Sequence, residues 1–201
     1  MQPLILIPCK SFAAGKSRLS PVLSGAERDA LCRRFLIDTL ALAATLVAKD
    51  DIRVVGSDEA VARVASDLGI RCECDDDTGL NAALAAAVAG VVARESEMVD
   101  RDILILPIDL VLATPLSVAP VLAAPADLVL VPDMSSCGTN MLRLSGAVAP
   151  RFRFQFGEDS FSMHLAEAER LRLRVEVLRD SNLSFDVDTP ADYAAWVGRK
   201  G

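Results

Sequence analysis

Residue types that often announce a function are scarce in this chain of 201 residues. It has one histidine, one tryptophan and one tyrosine, and aromatic residues make up 4% of it. The five cysteines, Cys9, Cys32, Cys72, Cys74 and Cys137, are an odd number in a chain long enough to need no covalent staples. Reduced thiols in a cytoplasmic protein are the expectation. Cys72 and Cys74 have no second pair and His164 stands alone, so the ligand spacing of a zinc site is missing. Lysine and arginine (21) are outnumbered by aspartate and glutamate (28), for a net charge of −7. That balance argues against nucleic-acid or membrane-surface partners, which favour a basic face. The longest charge-free stretch, Leu110 to Ala126, has 17 residues but carries Pro115, Pro120 and Pro125, so it is no membrane helix. The apolar run at residues 3–7 is too short for a signal peptide. Repeats, low-complexity tracts and linkers are also lacking, and one domain over residues 1–201 is expected.

What is present is an alternation. "PLILIPC" reads as a buried strand, and Ser24 with Glu27 forms a capping box that opens a helix to about Ala48. Strands at 52–57, 70–74, 102–109 and 127–132 are separated by helices at 59–68, at 79–95 and after Thr114-Pro115. The continuous apolar run "DILILPID" has the character of a parallel strand covered on both faces. This order predicts an α/β fold with a doubly wound, mostly parallel sheet and helices on both faces. The last third departs from it. There the pattern predicts strands at 140–144, 151–156, 173–178 and 183–187, helices at about 159–171 and from 190, and mixed strand directions.

In such a sheet ligands bind beyond the carboxyl ends of the strands. The loop "PCKSFAAGKSRLS" follows the first strand and holds two of the chain's four lysines, Lys10 and Lys16, with Arg18 beside them. Ala13, Ala14 and Gly15 let backbone N–H groups approach an anion, so a phosphate site competes with a solvated basic loop. A P-loop is excluded, because position 10 is lysine where the motif needs its first glycine. Asp109 closes the fourth strand and reads either as a cap of the next turn or as a metal ligand. In "FDVDTP", strand alternation places Asp186 and Asp188 on one face and Val187 on the other. Asp188 alone reads as the N-cap of the following helix. The pair, taken with Asp109 and the lysine loop, favours Mg²⁺, which takes a few carboxylates plus phosphate oxygens.

The ordered set of the lysine loop, "GLNAAL", "PIDL", "GTN", "FGEDSF" and "DVDTP" resembles the CofC/FbiD family, the guanylyltransferases of coenzyme F420 biosynthesis and relatives of MobA-type nucleotidyltransferases. The resemblance covers nearly the whole chain. It implies a Rossmann-like domain of the glycosyltransferase-A type, a homodimer, and transfer of GMP from GTP to a small phosphorylated three-carbon acid. That acid would be 2-phospho-L-lactate, phosphoenolpyruvate or 3-phospho-D-glycerate.

Carried over residue by residue, the resemblance implies Mg²⁺ on Asp109, Asp186 and Asp188. It implies acceptor binding by Thr139, Gly157 and Ser160, and nucleotide binding near Gly79, Leu80 and Asn81. Gly15, Lys16 and Ser17 would cradle the triphosphate, with Lys10, Lys16 and Arg18 offsetting its charge. Three departures stand out. "DLVL" occupies the place of a usual D-L-P-L, Gln155 stands near a usual arginine, and Glu158 and Asp159 follow Gly157 where a proline and a small residue are common. Those two acids are expected to complement a helix dipole. His164 is expected to pack or to face solvent, because an acceptor phosphate is already ionised and needs no base. Transfer to molybdopterin or to a sugar phosphate is the nearest competing reading, although the glycine-rich loop of those relatives is lacking. An inactive nucleotide-binding module is the reading from another class.

Overall fold

The alternating strands and helices close into one sheet with helices on both sides. The structure, a computed structural model, describes residues 2–73, 79–94 and 101–199. The strands are β1 (Leu4–Pro8), β2 (Ile52–Val55), β3 (Arg71–Glu73), β4 (Ile103–Ile105), β5 (Leu128–Pro132), β6 (Thr139–Leu144) and β7 (Val175–Val177). The helices are α1 (Gly25–Leu46), α2 (Glu59–Asp67), α3 (Leu80–Arg94), α4 (Pro115–Ala123), α5 (Ser160–Leu171) and α6 (Pro190–Gly198). Among the described residues, no helix is long and apolar enough to cross a membrane.

The strand order is β3-β2-β1-β4-β6-β5-β7. β1 pairs parallel with β2 and β4, β2 with β3, and β5 with β7, whereas β6 runs antiparallel to both β4 and β5. The chain winds outward from β1 to β3 and then crosses to β4 on the other side of β1, which creates a switch point between β1 and β4. Because β6 is reversed, its first residue, Thr139, lies at the edge where the parallel strands end. Ligand residues after β1 and β4 and at the start of β6 therefore share one rim.

Period-2 alternation divides the core. Ile5 and Ile7 of β1, with Leu104 of β4, pack beneath α1, α2 and α4. Leu4 and Leu6, with Ile103 and Ile105, pack beneath α3 and α5. Each such side chain contributes about 1.5–3 kcal/mol on leaving water. A third, smaller cluster of Leu19, Phe35, Phe185, Val187 and Trp196 ties the loop after β1 to α1, to the segment before α6 and to α6 itself. The capping box of Ser24 and Glu27 is formed, and a second one at Thr114, with Pro115 in the first turn, opens α4.

Three predicted strands differ. β4 stops at Ile105, and Asp109 lies in the turn beyond it. Residues 151–156 form no strand, although Phe152 and Phe154 alternate into the core. Their backbone donors are taken by side chains: Arg153 N–H by Glu167, Gln155 N–H by His164 and Phe156 N–H by Asn81. Residues 183–187 likewise join no sheet: Leu183 and Ser184 belong to the turn closed by Ser184 N–H on the Asp180 carbonyl. Cys74, at the end of the predicted third strand, and Glu95 lie outside the described residues.

Candidate active site

The rim of the sheet at the switch point opens into a cavity of about 670 Å³. It is lined by Arg18, Asp109, Asp186 and Asp188 and also by Thr139, Gly157 and Ser160. Two groups of residues that lie far apart in the sequence thus line one space.

The loop after β1 is held from several sides. Phe12 is buried with Arg33 over its ring at 4.8 Å, and Arg28 donates to the Gly15 carbonyl at 3.1 Å. A Cβ at Gly15 would lie 2.5 Å from Cys32 Sγ on α1, so no larger residue fits without movement. Gly15→Ala is expected to cost about 1–3 kcal/mol through overpacking, and Cys32→Ala in the same chain to restore most of it. A Gly15→Ala melting curve identical to wild type would mean that α1 does not pin the loop.

Lys16 follows in the left-handed region (φ 51°) and turns its side chain inward. Its Nζ donates to Asp109 Oδ2 at 2.5 Å and to Asp188 Oδ1 at 2.6 Å, and the side chain is only 8% exposed. Arg18, largely exposed, reaches Asp188 Oδ2 at 3.3 Å. Burial disfavours the charged ammonium, but the facing carboxylates of Asp109 and Asp188 outweigh it and hold Lys16 above the ordinary lysine range. Lys16, implied to cradle the triphosphate, is thus buried on the aspartates rather than solvated. Lys10 sits apart, lining a separate hollow of about 30 Å³ with Gly79 and Leu80. Ser17 is exposed.

Asp186 and Asp188 alternate with buried Phe185 and Val187, so both carboxylates face the cavity as the alternation predicts. Val187 N–H donates to the Asp109 carbonyl at 3.2 Å, which joins this segment to the turn after β4. The alternative role of Asp188 is set aside: Thr189 caps α6, in a capping box with Asp192. Carboxylate oxygens of Asp109, Asp186 and Asp188 lie within 4.8 Å of one another. Burial, and then the neighbouring Asp109 charge, push Asp186 up to about 6. Three converging carboxylates, two of which already bind one ammonium, have the donor chemistry of a divalent-cation site.

Across the cavity, Thr139 and Ser160 are buried but for the surface they show to it. Thr139 N–H donates to Ser160 Oγ at 2.8 Å. Gly157 has φ of +133°, a conformation open to glycine, and precedes the start of α5. Glu158 and Asp159 line the rim, and Asp159 makes no side-chain cap bond.

Asn81 is used differently from its implied nucleotide role. Its amide donates to the Phe156 carbonyl at 3.0 Å and accepts Phe156 N–H at 2.8 Å, tying α3 to the segment before Gly157. Two residues escape the sequence reading. Asn140 donates to Asp186 Oδ1 at 3.2 Å and to the Leu183 carbonyl at 3.1 Å, orienting the carboxylate. His164, expected to pack or face solvent, is fully buried and contacts Thr139 Oγ1 at 2.9 Å. Its position four residues after Ser160, on the same helix face, is the signal that could have found it.

Comparison with known proteins gives the family. The model of the family "Guanylyl transferase CofC like" matches residues 3–197. The chain is 34% identical over 195 residues to the 2-phospho-L-lactate guanylyltransferase of Methanothermobacter thermautotrophicus, covering 96% of this chain and 82% of that protein. It is 34% identical over 200 residues to the phosphoenolpyruvate guanylyltransferase of Rubrobacter xylanophilus, covering 96% and 93%. Among solved structures, 4-diphosphocytidyl-2C-methyl-D-erythritol synthase superposes with a TM-score of 0.69 at 15% identity, covering 99% of this chain and 97% of that one. A nucleotidyl transferase from Methanothermobacter superposes at 0.67 and 13% identity, covering 97% and 95%. These two show the nucleotidyltransferase fold. With a family match over almost its full length and relatives a third identical over most of their length, the chain belongs to the CofC-like guanylyl transferase family.

Proposed function

We propose that the chain transfers GMP from GTP to a phosphorylated three-carbon acid and releases pyrophosphate, supplying an activated acid to coenzyme F420 biosynthesis. One observation carries this reading: the aspartate trio with Arg18 and the hydroxyl pair of Thr139 and Ser160 line the same cavity. A triphosphate and an acidic acceptor can therefore meet there.

A phosphate oxygen of the acceptor attacks the α-phosphorus of GTP, and the bond from that phosphorus to the oxygen bridging to the β-phosphorus breaks. That oxygen leaves with pyrophosphate. No proton has to be removed, because a phosphate monoester is mostly dianionic at neutral pH, with a second pKa of about 6. The protein's part is to align the two phosphates and offset their charge. Thr139 and Ser160 hold the acceptor, with the amino end of α5 beside them. Arg18 lines the cavity and would face the triphosphate, Lys16 stands behind it on Asp109 and Asp188, and the hollow lined by Lys10, Gly79 and Leu80 would take part of the nucleotide. Asp109, Asp186 and Asp188 would hold Mg²⁺, which when bound neutralises phosphate charge and polarises the phosphoryl group.

The test is pyrophosphate release in a matrix of GTP, ATP and CTP against 2-phospho-L-lactate, phosphoenolpyruvate and 3-phospho-D-glycerate with Mg²⁺. GTP with at least one of the acids should give turnover. No pyrophosphate with any acid across a wide concentration range removes the acceptor assignment.

A further inference from the structure

The chain's only histidine is fully buried at the back of the acceptor wall, and its two ring nitrogens have different partners. Nε2 lies 3.0 Å from Gln155 N, in the segment before Gly157, and Nδ1 lies 2.9 Å from Thr139 Oγ1 at the start of β6. A backbone amide can only donate, so Nε2 must be an unprotonated acceptor. A neutral imidazole then carries its hydrogen on Nδ1. The Thr139 oxygen accepts that hydrogen, so its own O–H must point elsewhere. Ser160 is arranged in parallel: its Oγ accepts Thr139 N–H at 2.8 Å, which leaves its hydroxyl hydrogen to point away as well. Both residues line the cavity.

We propose that His164 is a positioning residue for the acceptor, its Nδ1–H fixing the Thr139 hydroxyl as a donor into the cavity, so that Thr139 and Ser160 together present two O–H donors to an anionic oxygen of the acid. Such a pair matches a carboxylate or phosphate oxygen, which only accepts, and gives a substrate hydroxyl in the same place no acceptor. The substrate in this inference rests on the acceptor reading above; the orientation of the hydroxyl does not.

The surroundings keep the ring neutral. Phe152 and Phe156 flank it at centroid distances of 5.7 and 4.9 Å. Glu167, on the same helix, favours protonation, but its carboxylate is engaged by Arg170 and by Arg153 N–H. Burial dominates and lowers the ring to about 4. With the folded value below the ordinary one of 6.5, the neutral ring's contribution to stability is complete above pH 6.5 and is lost as pH falls toward 4.

Two measurements on the full chain test this. The ¹⁵N imidazole spectrum needs no assignment, since there is one histidine. It should show the neutral Nδ1–H tautomer with no protonation until below pH 5. An Nε2–H tautomer, or a midpoint near 6.5, overturns the proposal whatever the enzyme's substrate. Kinetics then use His164→Asn, whose amide can replace the Nδ1–H, and His164→Gln, whose amide reaches the Nε2 position instead. KM for the acid should rise about tenfold in His164→Gln and less than threefold in His164→Asn, with KM for GTP within twofold in both. Adding His164→Gln to Thr139→Val should cost nothing beyond Thr139→Val alone, since the histidine acts through that hydroxyl. Equal losses in Asn and Gln, additive losses in the double variant, or a parallel rise in KM for GTP would each reduce His164 to a packing residue. A wild-type chain that turns over none of the three acids instead overturns the acceptor reading, and the tautomer measurement still decides the orientation.

Discussion

Asp188→Asn lowers guanylyl transfer by about a thousandfold or more while the melting temperature moves by only a few degrees. The side chain meets Lys16 Nζ at 2.6 Å and Arg18 at 3.3 Å and is 40% exposed. Asparagine keeps its size and removes its charge. Losing one carboxylate from a cation site withdraws several kcal/mol from the transition state, and about 4 kcal/mol is a thousandfold. Stability changes little because two effects oppose. The exposed pair with Arg18 is worth about 0–1 kcal/mol, buried Lys16 keeps its carboxylate partner Asp109, and relief of repulsion from Asp109 and Asp186 offsets the rest. The helix that follows is untouched, because Thr189 holds its cap. Pyrophosphate release at saturating GTP and acid, read beside a melting curve, checks the expectation. Activity within a few-fold of wild type would leave Asp188 no part in the chemistry.

Lys16→Ala should lower kcat/KM for GTP ten- to a hundredfold or more. Once Mg²⁺ takes its place on the carboxylates, the lysine is free to bond a phosphate, and such charge-assisted bonds of about 1.5–3 kcal/mol convert to that range. KM for the acid should change little, since Lys16 contacts Asp109 and Asp188 and none of Thr139, Gly157 and Ser160. The effect on stability is larger than a loop position suggests. With the ammonium 8% exposed between Asp109 and Asp188, its removal leaves two carboxylates facing each other without a cation. The melting temperature should fall in metal-free buffer and recover on adding Mg²⁺, whose charge replaces that of the lysine. Both KM values, kcat and melting with and without Mg²⁺ separate these effects. Unchanged GTP kinetics would mean that the loop does not hold the triphosphate, and a melting temperature indifferent to Mg²⁺ would count against the aspartates as its ligands.

The sequence by itself determined what depends on residues a few positions apart. The order of strands and helices follows from hydrophobic period. The starts of α1 and α4 follow from capping boxes at Ser24 and Thr114, which close over three residues. The outward turn of Asp186 and Asp188 follows from their alternation with Phe185 and Val187, and survives even though that segment pairs with no strand. What only the tertiary structure decided depends on which elements become neighbours. Residues 151–156 carry a strand's pattern but lose their ladder because Glu167, His164 and Asn81 take the backbone donors. The reversal of β6 brings Thr139 to the ligand rim, and nothing within "GTNMLRL" states its direction. Lys16 looks like a solvated loop lysine until carboxylates 93 and 172 residues away close on it. Asn140 and His164 gain their roles from partners on other segments, because a hydrogen bond's direction is set by the groups at both ends, and sequence shows only one end at a time.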